Sequence, residues 1–298
     1  MELADEALPT RPLRGDDRCW VEPLLRAIGE PLGPDCPAEL SFSNLLLFDA
    51  VHRYEVIAGP LPAIAGLTYD GVRHVLPLFE LSRVAPAQAA QLLVGRDVFY
   101  PLALAQVERL PSGAYTCTLV SGDDDYLYAV NAFLDFPGPA RQNKRRLLRQ
   151  LLEAHRMEAQ PLGSQCLDAA LAVLDGWLAD KRKQPGDADD AACRQALAGA
   201  RALGLCGYLH TADGEPVGWV LAEPLFGGTW AVRFAKGRAA LAGLYPWMFQ
   251  HLCRELPGVR WLNFEQDLGL PGLRRSKLSY GPERLLPKYR ARPHATGA

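Results

Sequence analysis

The chain alternates between short apolar runs bounded by turn residues and longer segments in which leucine and alanine recur every three or four positions. The first pattern is typical of β-strands, and the second is typical of helices with one buried face. The pattern predicts helices over 42–54, 85–95, 139–156, 165–183, 191–204, 241–256 and 271–277. It predicts strands over 54–59, 61–67, 72–79, 114–120, 205–210, 215–225, 229–237 and 259–264.

The order of these elements is similar in the two halves of the chain. Each half runs from helices to an antiparallel meander, and then to a further helix and strand. This order predicts a mixed α/β (α+β) fold with largely antiparallel sheets flanked by helices. At 298 residues the chain has room for two domains, which we place at 1–150 and 151–298.

The composition of the chain limits the kinds of ligand and compartment that we expect for this protein. The formal net charge is −2, so any affinity for a polyanion has to come from a local patch. The seven cysteines are widely spaced and form no CxxC or zinc-type cluster, so we expect no metal site. Unclustered cysteines are typical of a reducing compartment, and we expect a cytoplasmic protein.

No segment has the pattern of a leader or a membrane span. The N-terminal sequence MELADEALPT is acidic and lacks the apolar core of a signal peptide. The longest uncharged stretch, VIAGPLPAIAGLTY, contains two prolines and is too short to cross a bilayer. We therefore expect no transmembrane segment, and any membrane contact to be peripheral.

Cations are concentrated in two segments. In the predicted helix 139–156, Arg141, Lys144, Arg145 and Arg149 recur at helical spacing opposite a leucine face. Between Gly272 and Arg292 there are seven cations and a single acid. Such faces are often only solvated surface, but the charge asymmetry is also that of a localised phosphate-binding site.

Two carboxylates follow the strand predicted over 259–264. Asp267 stands where it could cap the helix that begins near 271, and Glu265 stands where the chain leaves the sheet. A carboxylate in the second position can act as a general base. The run of three acids at 123–125 is typical of a turn.

The segment FAKGRAALAGLYPWM has the topology of a phosphate-binding loop, because a strand leads through a loop into a helix. Its candidate ligand-binding side chains are Lys236, Arg238 and Tyr245, although the glycines lack the spacing of acetyl-coenzyme A enzymes. The stretch RALGLC comes closer to the spacing of the phosphate loop in those enzymes. It runs from a helix to a strand, however, so we interpret Gly204 as a helix C-cap.

The stretch NFEQDLGLPGLRRSKLSYGPERLLPKY closely resembles the closing motif of the C-terminal domain of phosphatidylglycerol lysyltransferases and their stand-alone relatives. Weaker resemblance extends to SFSNLLLF, to DYLYAVNAFLDFPG with the following KRR helix, and to FAKGRAALAGLYPWMFQ. The resemblance implies two tandem Gcn5-related acetyltransferase-like domains. It also implies transfer of an aminoacyl group from aminoacyl-transfer RNA to a lipid or amine. The membrane-embedded half of the full-length enzymes has no counterpart in this sequence.

The residues that match the family position by position are Asn263, Glu265, Asp267, Arg274, Lys277, Ser279, Tyr280 and Lys288, with Lys144 and Arg145 of the basic helix. Acyl transfer needs a base and a proton donor, and we expect Glu265 to be the base, Asp267 a positioning carboxylate and Tyr280 the proton donor. The residues expected to bind substrate are Arg141, Lys144, Arg145, Lys236, Arg238, Tyr245, Asn263, Arg274, Lys277, Ser279 and Lys288. The donor is expected to be a substrate, either aminoacyl-transfer RNA or acyl-coenzyme A, with no cofactor bound permanently.

Two other functions are compatible with the same residues. The first is a coenzyme-A-dependent N-acyltransferase, which the strand–loop–helix at 230–250 favours. The second is a non-catalytic module that binds an anionic ligand or a membrane surface through its basic segments.

Overall fold

The computed structural model describes residues 8–294. The first seven residues of the acidic N-terminal segment lie outside this range. The chain forms two compact units: Met1–Asp125, Gln266–Leu270 and Leu285–Ala298 in the first, and Tyr126–Glu265 and Pro271–Arg284 in the second. The division into domains at residue 150 stays a prediction.

The secondary structure of residues 8–294 comprises strands and helices that we number in chain order. The strands are β1 (Thr10–Pro12), β2 (Glu55–Ile57), β3 (Ala63–Leu67), β4 (Arg73–Pro77), β5 (Val98–Ala103), β6 (Tyr115–Leu119), β7 (Asp125–Ala129), β8 (Met157–Pro161), β9 (Cys206–Ala212), β10 (Glu215–Pro224), β11 (Thr229–Gly237), β12 (Trp261–Asn263), β13 (Arg284–Leu286) and β14 (Lys288–Pro293). The helices are α1 (Arg18–Gly29), α2 (Phe42–His52), α3 (Pro86–Leu92), α4 (Leu104–Val107), α5 (Asn131–Leu134), α6 (Gln142–Ala154), α7 (Leu167–Asp180), α8 (Asp190–Leu203), α9 (Leu244–Glu255) and α10 (Pro271–Leu278).

The first sheet has the strand order β1-β2-β3-β4-β5-β14-β6. Strands β4 and β5 are parallel and are connected by α3, whereas the other neighbours pair antiparallel. The last strand of the chain, β14, lies between β5 and β6. The C-terminal segment is therefore an internal strand of the sheet that begins near the N-terminus.

The second sheet has the order β13-β7-β12-β11-β10-β9-β8. Its β9–β10 hairpin and its parallel β11–β12 pair, connected by α9, follow the predicted elements. Each sheet thus contains a parallel pair joined by a helix beside an antiparallel meander. The predicted mixed α/β fold with largely antiparallel sheets and flanking helices is confirmed.

Helix ends follow the local chemistry of the sequence. The hydroxyl of Ser41 accepts a hydrogen bond from the backbone N–H of Asn44 at 3.3 Å and caps α2. Helix α8 ends at Gly204, whose φ of +73° is left-handed, as its interpretation as a C-cap requires.

Separate apolar clusters fill the two units. In the first, Ile57, Val75 and Phe99 are buried against β14 residue Ala291. In the second, the cluster is rich in aromatic rings, contributed by β7, α5, α9 and the C-terminal segment. Burial of these side chains stabilises each unit by the hydrophobic effect.

Candidate active site

The parallel pair of the second sheet is short. Strand β12 pairs with β11 from Trp261 to Asn263 and then ends, whereas β11 continues to Gly237. Beyond the paired residues, β11 no longer has β12 beside it. Two charged side chains, Arg233 and Glu265, meet just past this point.

Arg233 is held between two carboxylates. Its fully buried guanidinium forms ion pairs with Glu223 of β10 and with Glu265. Although burial opposes its charge, Glu223 and Glu265 raise the pKa of Arg233 above its ordinary value. Because guanidinium stays charged, this arrangement favours an ionised Glu265 and fixes the direction of its carboxylate.

The backbone at Glu265 is unusual. Its φ of +58° lies in the left-handed region, which a residue with a Cβ seldom adopts. The side-chain oxygen of Asn263 accepts a hydrogen bond from the backbone N–H of Glu265 at 2.7 Å. Conformations of this kind persist where surrounding contacts hold them, and they are concentrated at functional sites.

Lys277 supplies further contacts to the same turn. Its Nζ donates hydrogen bonds to the carbonyl oxygens of Phe264, at 2.6 Å, and Glu265, at 3.0 Å. The side chain is buried although it lies on the short helix α10. The position of Glu265 is therefore set by three side chains: Arg233, Asn263 and Lys277.

Tyr280 lies in the aromatic cluster of the second unit. Its ring centroid is 5.6 Å from that of Phe133 and 5.5 Å from that of Phe249, and the residue is 5% exposed. Burial raises the pKa of Tyr280 well above its ordinary value. The phenol therefore stays protonated and can only donate or share a proton.

The basic helix α6 uses several of its cations within its own unit. Arg141, which precedes the helix, donates to the carbonyl oxygens of Tyr280 at 2.7 Å and Gly281 at 2.6 Å. Arg145 donates to the carbonyl oxygens of Phe136 and, at 2.8 Å, Gly138. These guanidiniums fix the loops on which Tyr280 and Phe136 lie.

Lys144 occupies a different position on α6. Its Nζ lies 3.8 Å from the ring centroid of Tyr280, in cation–π contact. Burial lowers the pKa of Lys144. Arg149, by contrast, is exposed and faces Glu153 at 3.8 Å, so only part of the helix has the character of a solvated face.

The cations of the strand–loop–helix segment are paired with acids. Lys236 donates to both carboxylate oxygens of Asp189, at 2.7 and 2.8 Å, and lies over the ring of Trp177. Arg238 donates to Asp180 at 2.9 Å. These partners compete with any phosphate for the same cations.

The backbone of α6 packs against the residue that precedes α9. A Cβ at Gly243, the residue before the helix, would come within 2.4 Å of the carbonyl oxygen of Leu147. Tyr245 follows in the first turn, partly buried, and burial raises its pKa. The topology of a phosphate-binding loop is present, and the backbone of α6 packs closely against its last glycine.

The other candidate residues on α10 and directly after it are more exposed to solvent. Arg274 is half-buried, and Ser279 is exposed, with its hydroxyl donating to the carbonyl oxygen of Ser276 at 2.6 Å. Arg274 and Ser279 thus stand at the surface of the second unit.

Two predicted site residues, Asp267 and Lys288, belong to the first unit. Asp267 is fully buried, and its Oδ1 accepts a hydrogen bond from the backbone N–H of Gly269 at 2.8 Å. That N–H lies in the turn before α10.

Lys288, on β14, is 1% exposed and donates to Glu39 at 2.5 Å, Asp125 at 2.8 Å and Gln266 at 3.3 Å. Although burial opposes its charge, Asp125 and Glu39 raise the pKa of Lys288. Lys288 is therefore a charged centre inside the first unit.

The acidic run at 123–125 begins in a turn, in which the backbone N–H of Asp123 donates to the carbonyl oxygen of Val120 at 2.9 Å. Its outer members are fully buried. Asp125 pairs with Lys288, and Asp123 pairs with Arg290, which also contacts Asp70. Asp125 and Asp123 thus neutralise Lys288 and Arg290 of β14.

The structure brings one set of predicted residues together around the end of β12. Glu265, Asn263 and Lys277 are in direct contact there, and Lys144 and Arg141 contact Tyr280. Lys236 and Arg238 are engaged with Asp189 and Asp180 instead. Sequence reasoning missed the partners Arg233, Glu223, Glu39 and Gln266. The available signal was a charged residue inside an otherwise apolar predicted strand, as at Arg233 in TWAVRFAKG.

Within residues 8–294, no helix is long and apolar enough to cross a membrane. In the same range, no group of three or more histidine, cysteine, aspartate or glutamate residues is placed to hold a metal ion.

Several solved structures share this architecture. A crystal structure of a conserved protein of unknown function from Bacteroides thetaiotaomicron VPI-5482 superposes with a TM-score of 0.78 at 21% identity, covering 96% of this chain and 100% of that one. L-PGS from Bacillus licheniformis superposes with a TM-score of 0.55 at 16% identity, covering 89% of this chain and 93% of that one. A tandem GNAT protein from the clavulanic acid biosynthesis pathway superposes with a TM-score of 0.51 at 12% identity, covering 97% of this chain and 99% of that one. The fold is therefore that of tandem Gcn5-related acetyltransferases, as predicted.

Sequence comparison gives the family. No curated protein matches the chain. The model of the family described as phosphatidylglycerol lysyltransferase, C-terminal, matches residues 37–292. This match includes the motif at 263–289 that suggested the resemblance. The chain therefore belongs to the phosphatidylglycerol lysyltransferase C-terminal family.

Proposed function

We propose that this protein is an aminoacyltransferase that moves an aminoacyl group from an aminoacyl-transfer RNA to a hydroxyl or amine of an acceptor, with an anionic lipid as the foremost candidate. The observation that carries the proposal is the fixed carboxylate of Glu265 at the end of the short parallel pair. The family match supplies the reaction class.

The chemistry requires a base, donors for an oxyanion and a proton for the leaving group. Glu265 would accept a proton from an acceptor hydroxyl as its oxygen attacks the ester carbonyl, or from an acceptor ammonium before its nitrogen attacks. Its pairing with Arg233 keeps it ionised, at some cost in basicity. The peptide groups of β11 beyond the paired residues are candidate donors to the oxyanion.

Tyr280 suits the role of proton donor. The ester bond of an aminoacyl donor breaks with the electron pair on a ribose oxygen, which must gain a proton. A phenol whose pKa is raised by burial stays protonated until such an oxyanion forms. Asp267 would act by ordering the turn before α10.

Anionic parts of either substrate would be bound by cations. Arg274 is only half-buried, and Lys144 lies beside Tyr280 without a carboxylate partner in the described part of the chain. Lys288 is buried and paired with Asp125 and Glu39, so we give it a structural role in the first unit. Phosphate groups are present in both transfer RNA and an anionic lipid, so these cations favour a phosphate-bearing substrate without distinguishing the two.

Contact with a membrane would be peripheral. On α10, Leu273 and Leu278 are 37% and 48% exposed, and Arg275 is also exposed. Exposed leucines next to cations favour the surface of an anionic bilayer. A cytoplasmic location remains a prediction of the sequence.

A coenzyme-A-dependent reaction is the alternative. The pairing of Lys236 with Asp189 and of Arg238 with Asp180 counts against a pyrophosphate site in the loop between β11 and α9. We therefore treat acetyl-coenzyme A as the comparison donor in the test.

The test is an aminoacyl transfer assay with purified protein. Transfer RNA charged with radiolabelled lysine or alanine is mixed with vesicles of phosphatidylglycerol or of phosphatidylcholine, and label in the lipid extract is measured. We expect label in phosphatidylglycerol that Glu265→Gln abolishes. Transfer to an added soluble amine but not to lipid would reassign the acceptor. Acyl transfer from acetyl-coenzyme A alone would replace the proposal by its alternative.

A further inference from the structure

Lys144 has an environment unlike that of the other buried lysines. Its ammonium lies over the ring of Tyr280, and among residues 8–294 it has neither a hydrogen-bond acceptor nor a carboxylate partner. The side chain is half-buried, so it has lost part of its hydration without gaining a counter-ion. Loss of hydration without a carboxylate partner destabilises an ammonium relative to the neutral amine.

Each of the other buried lysines is differently placed. Lys236 is paired with Asp189, Lys277 donates to two backbone carbonyls, and Lys288 is paired with Glu39 and Asp125. The acceptors favour the protonated ammonium form of these three lysines, which has no free lone pair on nitrogen. Chemical reactivity of an amine requires the neutral form and access, which these three lack.

The neighbours of Lys144 leave it free to react. Arg141 and Arg145 direct their guanidiniums to backbone carbonyls, and guanidinium is not a nucleophile at ordinary pH. Tyr280 remains a neutral phenol, so its ring offers a π-face and no anionic counter-charge. Burial also lowers the pKa of Lys144, in the direction that increases the neutral fraction.

We propose that the Nζ of Lys144 is itself an acyl acceptor, a modification site at which an activated ester or thioester forms an amide with the protein. The neutral amine attacks the carbonyl carbon, so that a C–N bond forms and the C–O or C–S bond breaks. The leaving alkoxide or thiolate takes up the proton that the nitrogen loses. No oxidant, metal or further reactant is needed.

Acylation here would have a consequence for the proposed function, on which this step of the inference rests. An amide carries no charge, so modified Lys144 would lose its cation–π contact with Tyr280 and its capacity to bind a phosphate. A donor that meets no acceptor substrate would then inactivate the site next to the proton donor.

The chemical test uses acetyl N-hydroxysuccinimide ester at a limiting amount, with the intact protein, between about pH 6 and pH 9, where neutral amine rises roughly tenfold per pH unit below its pKa. Peptide mass spectrometry gives the acetylation rate of Lys144 and of Lys181, an exposed lysine at the end of α7. We expect more label at Lys144 than at Lys181 below about pH 7, because burial lowers the pKa of Lys144.

The inference is overturned if Lys144 stays unlabelled, or if it carries no more label than Lys181 below about pH 7. Lys144→Arg keeps the positive charge and verifies the peptide assignment, because its label must disappear while that of Lys181 remains. The proposed function fails separately from this inference. Absence of label in the lipid extract of the aminoacyl transfer assay would overturn the proposed function and leave the reactive amine of Lys144 established.

Discussion

The carboxylate of Glu265 forms an ion pair with the guanidinium of Arg233, whose side chain has no exposed surface. The pair lies where β12 ends and β11 continues alone. An ionised, oriented carboxylate at the point where two parallel strands part is suited to receive a proton from a nucleophile.

Replacing this carboxylate tests its chemical role. Glu265→Gln preserves shape and a hydrogen-bond acceptor for Arg233 but removes the base. In the aminoacyl transfer assay we expect turnover to fall by roughly 10²–10⁴-fold. Asp267→Asn, which can still accept from Gly269, should cost less. Glu283→Gln, at an exposed position, is the matched control. Normal turnover of Glu265→Gln would mean that the base is elsewhere.

The hydrogen bonds from Lys277 should stabilise the turn that presents Glu265. Lys277→Met keeps the apolar stem and leaves the carbonyl oxygens of Phe264 and Glu265 without this donor. We expect a loss of about 1–3 kcal/mol in the free energy of unfolding, measured by urea denaturation. Arg275→Ala, on the exposed face of the same helix, should change it by less than about 0.5 kcal/mol. Equal effects of the two substitutions would contradict the role given to Lys277.

The buried ion pairs of Lys288 in the first unit should contribute more to the free energy of unfolding than the hydrogen bonds of Lys277. Lys288→Met leaves Asp125 and Glu39 buried without their common cation, and we expect it to cost about 3–5 kcal/mol of unfolding free energy. Adding Asp125→Asn to this variant removes one of the uncompensated charges and should restore part of the loss. Absence of any restoration in denaturation curves would mean that packing of the lysine stem, rather than charge, accounts for the effect.

Stability should also depend on pH through His210 of β9, which has no exposed surface. Burial, and then the neighbouring His251, lower the pKa of His210 to about 3. An unfolded histidine titrates near pH 6.5. Between these values the unfolded chain binds more protons, so the free energy of unfolding falls as the pH falls below about 6.5, by up to about 1.4 kcal/mol per pH unit for each such group.

His210→Phe removes this titrating group. Compared with the unmodified protein, it should lose less stability between about pH 7 and pH 5. The loss should not vanish, because burial also lowers the pKa of His74, in the first unit, to about 3. Identical pH profiles of melting temperature for the variant and the parent would contradict the assignment.

Much of the fold could be predicted from the sequence because most elements have clear periodicity or end signals. Helix α2 begins after the capping residue Ser41, and the β9–β10 hairpin turns at Asp213 and Gly214. The strand β14 could not be found in this way. In the sequence, Lys288 and Arg290 have the pattern of solvent-exposed cations. Their burial is favourable only because Asp125 and Asp123, far away in the sequence, pair with them in the fold.

The candidate site was predictable in part for a similar reason. Glu265, Lys277 and Tyr280 stand close together in the sequence, within the motif that carries the family resemblance. Arg233 lies about one helix and one strand earlier, and no local pattern connects it with Glu265. Contacts between residues of high sequence separation require the fold to be known first.

The position of β14 between β5 and β6 has a consequence for biosynthesis. Its residues, Lys288–Pro293, follow the whole chain of the second unit, whereas its neighbours in the sheet lie at 98–103 and 115–119. During translation those two strands have to wait, each with an unpaired edge, until the second unit has been synthesised. Chains that stop before residue 288 would carry an open gap in the first sheet, with Asp123 and Asp125 still lacking their cations. Truncation before β14 should therefore yield protein that is prone to aggregation or degradation.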